Sequence, residues 1–131
     1  MLVWIVVTII TLLFWLSGCE TLGDGPDTLE GTWQCKENSQ IYGYQAYDVT
    51  ISIVKTDSNK IEINNFYNLG YGRKVVGEVD FWDIQIPSQT VEGFSFNGDG
   101  VISGNKRKID WSYTVDDGSG ILDHVTATFS R

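Results

Sequence analysis

Few side chains in this 131-residue chain are equipped for chemistry: it has one histidine and two cysteines. His124 alternates with Val125, Ala127 and Phe129 and so falls on an outward face, beside Thr126 and Thr128. A nucleophilic triad or a zinc centre needs several such partners, and a surface histidine is the expectation. Asp116, Asp117 and Asp123 flank one loop and read as a solvated acidic turn. The run Gly98-Asp99-Gly100-Val101-Ile102-Ser103 has the middle of a calcium loop, but that alignment puts Ser95 first and Lys106 last. Such a loop needs an acid first and a bidentate Glu last. A lysine there opposes the cation, so the glycines are expected to bend a strand instead. No residue is assigned a catalytic role, no metal site is expected, and the chain is not read as an enzyme.

The aromatic residues carry a stronger signal. Trp33, Trp111 and Tyr113 fall at inward positions and are expected in the core. Phe81 and Trp82 are adjacent, and neighbouring residues on a strand point to opposite faces. At least one of them is therefore exposed, and the flanking Asp80 and Asp83 suggest a hairpin tip. Exposed aromatics mark contact sites for membranes, sugars or proteins. Tyr42, Tyr44, Tyr67 and Tyr71 lie in Gly-rich loops and are candidates for the same surface.

The first nineteen residues form an uncharged, mostly apolar run that ends in Leu16-Ser17-Gly18-Cys19. This ending resembles the lipobox of bacterial lipoproteins. The resemblance implies that residues 1–18 are a signal peptide, that a diacylglycerol is joined to the Cys19 thiol, and that residue 19 opens the mature chain. The implied place is the bacterial cell envelope, at the outer membrane, with the lipid as a covalent group and no other cofactor. Two or more acyl chains hold a protein durably at a membrane. An uncleaved anchor helix or a buried core helix is the alternative reading of the same run. With Cys19 lipidated, Cys35 has no partner within the chain and reads as a small buried hydrophobe.

All charged side chains follow Cys19, so the net charge of −8 belongs to the mature part. Such an acidic domain is a poor match for nucleic acid, which demands clustered Lys and Arg. Residues 19–28, with Gly23, Gly25 and Pro26, read as a flexible tether. Residues 29–131 suffice for one core.

That domain is read as all-β. Tyr47, Val49, Ile51 and Ile53 alternate with polar residues, as do Ile109, Trp111, Tyr113 and Val115. About eight strands are expected, at 31–37, 45–55, 59–66, 74–80, 83–87, 91–103, 107–116 and 121–130. Asn64-Asn65 is expected to mark a bulge, and the sixth strand to bend or bulge near Gly98 and Gly100. Short links favour an up-and-down meander, closed as a barrel or split into a two-sheet sandwich. Leu29-Glu30-Gly31-Thr32-Trp33 resembles the Gly-x-Trp opening of lipocalin-type barrels, which implies that Trp33 closes the barrel floor. Asn65-Phe66, Ile86-Pro87-Ser88-Gln89, the run from Gly98 to Asn105 and the ending Ala127-Thr128-Phe129-Ser130-Arg131 resemble small Bacteroidetes lipoproteins with a lipocalin-like β domain. That group carries no activity over to this chain. The resulting expectation is an envelope lipoprotein anchored to the membrane by its lipid. It binds a small apolar ligand in the barrel or an envelope protein at its aromatic loops; the alternative is an assembly accessory without a pocket.

Overall fold

The computed structural model describes residues 29–131. The expected signal segment, Leu16, Ser17, Gly18, the lipidation residue Cys19 and the tether lie outside the described residues. Eight strands follow one another: β1 (Gly31–Ser39), β2 (Gly43–Ile53), β3 (Lys60–Asn64), β4 (Lys74–Asp80), β5 (Asp83–Val91), β6 (Phe94–Ile102), β7 (Lys108–Asp116) and β8 (Leu122–Ser130). Each pairs antiparallel with its sequence neighbour, and β1 also pairs with β8, so the sheet closes into an up-and-down barrel. Closure removes the free edges that an open sheet would expose.

Alternation decides what fills the interior. Trp33 and Cys35 on β1, Val49 and Ile51 on β2, Ile61 and Ile63 on β3, and Ile109, Trp111 and Tyr113 on β7 are all buried. At the end where the described chain begins, Trp33 closes the floor as the Gly-x-Trp resemblance implied. Its indole N–H donates to the Leu29 carbonyl at 2.8 Å, and the Arg131 guanidinium lies 4.1 Å from its ring centre. Cys35 is fully buried, and burial pushes its thiol up to about 12 despite a hydrogen bond with Tyr47.

Several boundaries differ from the sequence reading, each for a local reason. β1 runs on to Ser39 and β2 starts at Gly43, because the reversal takes only residues 40–42. β5 continues to Val91, and a two-residue turn at Glu92-Gly93 leads into β6. Both turn residues have positive φ, 52° and 84°, the geometry that matches strand twist. Asn and Asp are the usual signals at the first of these places, and Glu92 gave none. Asn65 is not a bulge in β3. The strand ends at Asn64, and Asn65, Tyr67 and Asn68 take left-handed φ of 65°, 58° and 57°, so Phe66–Asn68 form a kinked turn rather than a regular 3-10 helix.

The irregularity expected in β6 sits across the ladder in β5. Ile86 pairs with Gly98 and Gln89 with Phe96, which leaves one extra residue in the Pro87-Ser88 stretch. Proline has no N–H to donate, so a bulge is where a strand tolerates it. The β4–β5 ladder covers only Glu78–Asp80 against Asp83–Gln85. Beyond it the Gln89 amide stands in for backbone, accepting from Val76 N and donating to Val76 O, each at 2.8 Å. Gly98 and Gly100 are needed for close approach. A Cβ at Gly98 would lie 2.3 Å from Tyr113 Cβ, and one at Gly100 would lie 2.7 Å from the Trp111 ring.

Candidate functional site

Successive strands run in opposite directions, so the connections at 40–42, 65–73, 92–93 and 117–121 gather at one end of the barrel, the mouth. The turns at 54–59, 81–82 and 103–107 lie at the floor, with residue 29 and Arg131. Toward the floor the interior is apolar. Toward the mouth it becomes polar, because the inward positions there carry Glu37, Ser39, Tyr47, Tyr113 and Asp123.

Glu37 is only 1% exposed. Tyr47 and Tyr113 both donate their hydroxyls to its Oε1, each at 2.6 Å. Oε2 receives no hydrogen bond from the described residues. Burial raises the carboxyl's proton affinity, the two tyrosines pull it back, and the nearby charge of Asp123 raises it again. The same burial, with the Glu37 charge beside them, holds both tyrosine hydroxyls firmly protonated.

Asp123 is 2% exposed and belongs to a second cluster nearer the rim. Its Oδ2 accepts from Ser39 Oγ, and from the Tyr67 hydroxyl at 2.5 Å. Oδ1 accepts from the Ile41 N–H at 3.1 Å, while Ser39 Oγ accepts from the Tyr42 N–H at 2.9 Å. Burial disfavours this charge, but the hydrogen bonds outweigh it and hold the carboxyl below its ordinary value. The solvated acidic turn of the sequence reading is therefore correct in direction only for Asp116 and Asp117; Asp123 faces inward.

The loop after β3 stoppers the mouth. Phe66 inserts between Tyr113 and Phe96, with ring centres 4.7 and 5.6 Å away. Asparagines hold the loop: Asn65 Nδ2 donates to Asp48 O, Asn65 Oδ1 accepts from Gly70 N, and Asn64 Oδ1 accepts from Gly72 N, all at 2.8 Å. Between this stopper, the β1–β2 turn and the start of β6 remains a cavity of about 240 Å³. Glu37 lines its depth, Tyr42, Tyr67 and Phe94 form aromatic walls, and Gln45 and Asn68 supply amides. The volume is below the 300–1,000 Å³ typical of drug-sized ligands, which limits an occupant to a small molecule or one end of a larger one.

Of the residues singled out from sequence, Tyr42 and Tyr67 meet at this cavity. Tyr44 and Tyr71 are exposed at the same end but do not line it. Phe81 and Trp82 form the β4–β5 turn at the opposite end, so the six do not make one surface. His124 is exposed on the outer wall, in a cross-strand row with Thr114 and Asn97. Asp99 is also on that wall, in mid-strand. Among the described residues no group of three or more His, Cys, Asp or Glu side chains converges on a common point. Sequence reasoning missed Glu37 and Ser39 and set Asp123 in solvent, although parity could have placed all three. Glu37 and Ser39 share the face of Trp33 and Cys35, and Asp123 shares that of Val125 and Phe129.

No family model matches the chain, and no curated protein matches it. Among solved structures it is similar to EF1p2_mFAP2b bound to DFHBI, with TM-score 0.56 and 13% identity over 85% of this chain and 99% of the other. It is also similar to a redesigned beta barrel, with TM-score 0.53 and 14% identity over 86% of this chain and 98% of the other. At these identities the likeness shows the fold, a small closed lipocalin-like barrel, and identifies no lineage.

Proposed function

We propose that the protein is an envelope lipoprotein, anchored through a diacylglycerol on Cys19, whose barrel binds a small ligand at its mouth without chemical conversion. The observation that carries the binding reading is Glu37: a buried carboxylate at the base of an aromatic-walled cavity, with one oxygen unserved. Burying a carboxyl is costly unless something meets it. A ligand with an ammonium or N–H head meets Oε2, and its apolar body packs against Tyr42, Tyr67 and Phe94, where cation–π attraction adds to burial. The acidic loops at the mouth favour the same charge. A barrel of similar fold is bound to DFHBI, a precedent for ligand binding in this architecture. Placement in the envelope is supported by the lipobox resemblance, and a place among small Bacteroidetes lipoproteins by the resemblance carried by Asn65-Phe66, Ile86-Pro87-Ser88-Gln89, the run from Gly98 to Asn105 and the ending Ala127 to Arg131.

Native mass spectrometry of the full chain, purified gently from membranes, tests both parts. The expected spectrum shows the acyl mass on the N-terminal peptide and a stoichiometric adduct that disappears on denaturation. Glu37→Gln should retain the fold and lose most of the adduct. A bare protein mass would defeat the ligand reading in favour of an assembly accessory, and an unacylated peptide would defeat the anchor.

A further inference from the structure

The floor of the barrel carries a surface that ligand binding at the mouth leaves unused. Phe81 is 81% exposed and Trp82 44% exposed. They occupy a two-residue turn that Phe81 enters with a left-handed φ of 55°. Trp82 O accepts from Ile102 N at 2.7 Å, which fastens the tip to the start of the β6–β7 turn. In that turn Lys106 Nζ lies 5.9 Å from the Trp82 ring centre. Arg131 Nη2 donates to Lys106 O at 3.3 Å, and its Nη1 donates to Glu30 O at 3.1 Å. The aromatic tip, the basic turn and the point where the chain enters the barrel therefore form one continuous patch.

Charge is distributed unevenly between the two ends. Six of the nine Lys and Arg residues (Lys55, Lys60, Lys106, Arg107, Lys108, Arg131) stand at floor turns or the strand residues beside them. The acids at the same places are Glu30, Asp57, Asp80 and Asp83, and Glu20, Asp24 and Asp27 lie in the segment that leads to residue 29, so the basic character is local to the turn of Lys106, Arg107 and Lys108. By the same criterion the mouth carries Glu92, Asp116 and Asp117 against Arg73 and Lys74, with Asp123 buried beneath them. An anionic surface attracts the basic turn beside the aromatic tip, whereas Arg73 and Lys74 at the mouth are paired with Glu92 and Glu62.

We infer that the floor is a membrane-docking face: Phe81 and Trp82 enter the lipid interface, Lys106 and Arg107 lie at head-group level, and the mouth points away from the bilayer. The Trp82 indole, with an apolar body and an N–H edge, prefers that depth, and Phe81 adds apolar area beside it. The inference rests in part on the anchor at residue 19. From there the ten residues 19–28 span at most about 36 Å, and they deliver the chain to the floor rather than the mouth. Asp80 and Asp83 flank the tip and restrict entry to the two rings.

Fluorescence quenching tests this with the lipidated mature chain, residues 19–131, whose tryptophans are Trp33, Trp82 and Trp111, reconstituted in phosphatidylethanolamine–phosphatidylglycerol vesicles containing brominated acyl chains. The bromines should quench the wild type, and Trp82→Phe should lose most of the quenched fraction. For the barrel segment 29–131, which contains every strand of the closed sheet, vesicle partitioning should fall at least about tenfold in Phe81→Ala/Trp82→Ala. In Lys106→Glu/Arg107→Glu it should lose its dependence on phosphatidylglycerol. Melting curves confirm that these variants are folded. Quenching that is absent, or equal in Trp82→Phe, overturns the inference and leaves a protein as the occupant of the tip. If the chain proves unacylated but the barrel segment still binds vesicles through Trp82, the docking face stands and the anchor reading fails.

Discussion

Two buried carboxyls near the mouth titrate in opposite senses. Burial raises the proton affinity of Glu37 above the ordinary 4.5, so the folded state holds this proton more tightly than the unfolded chain. Its contribution to stability is full below about pH 4.5 and is lost as pH rises through its higher folded value. Asp123 is held below its ordinary 3.8. Its contribution is full above that value and is lost as pH falls through the lower folded one. Glu37→Gln should therefore flatten the decline on the neutral side, because the amide oxygen still accepts from Tyr47 and Tyr113. Asp123→Asn puts an N–H₂ among donors and should cost about 1.5–3 kcal/mol at pH 7. Melting temperatures of both variants across pH check the two signs. Cys35, with its thiol at about 12 and no exposed surface, should resist thiol reagents in the native protein and react at once in denaturant.

Pairs of strands fit together through glycines and one bulge. Trp111 and Tyr113 lie over Gly100 and Gly98 on the neighbouring β6, and that contact makes room for two large rings plus Phe66 in one barrel. A methyl at Gly98 meets the backbone of Tyr113 at 2.5 Å, which cannot step aside. At Gly100 the nearest atoms it meets belong to the Trp111 ring. Gly98→Ala should thus cost at least about 3 kcal/mol, at the upper end of overpacking penalties, and Gly100→Ala less; chemical denaturation of both variants measures the order. Alternation alone could place Trp111 and Tyr113 inside. It could not say that the residues opposite them must be glycine, because that requirement comes from a register between strands. The same holds for the bulge: Pro87 was visible as a strand-breaker, but the residues it displaces are set by its partner β6.

At the scale of the whole molecule, every strand has two neighbours, and the single interior runs from the Trp33 floor to the Phe66 stopper. No subset of strands keeps a closed ladder without the rest, so residues 29–131 should unfold in one transition. Coincident loss of far-ultraviolet circular dichroism and tryptophan fluorescence checks this; separate midpoints would show that the stopper loop or a hairpin melts alone. The sequence by itself determined the all-β class, the up-and-down order, the buried Trp33 and Cys35, and the hairpin tip at Phe81-Trp82. Those follow from period-two alternation and turn chemistry, which are local. Closure into a barrel rather than a sandwich required β1 to meet β8, a contact between residues about ninety positions apart. The pocket is likewise non-local: Glu37, Tyr67, Phe94 and Asp123 come from different segments, and no spacing along the chain announces their meeting. Only the tertiary structure decided that the tyrosines and the Phe81-Trp82 tip stand at opposite ends, because antiparallel strands send alternate turns to opposite poles.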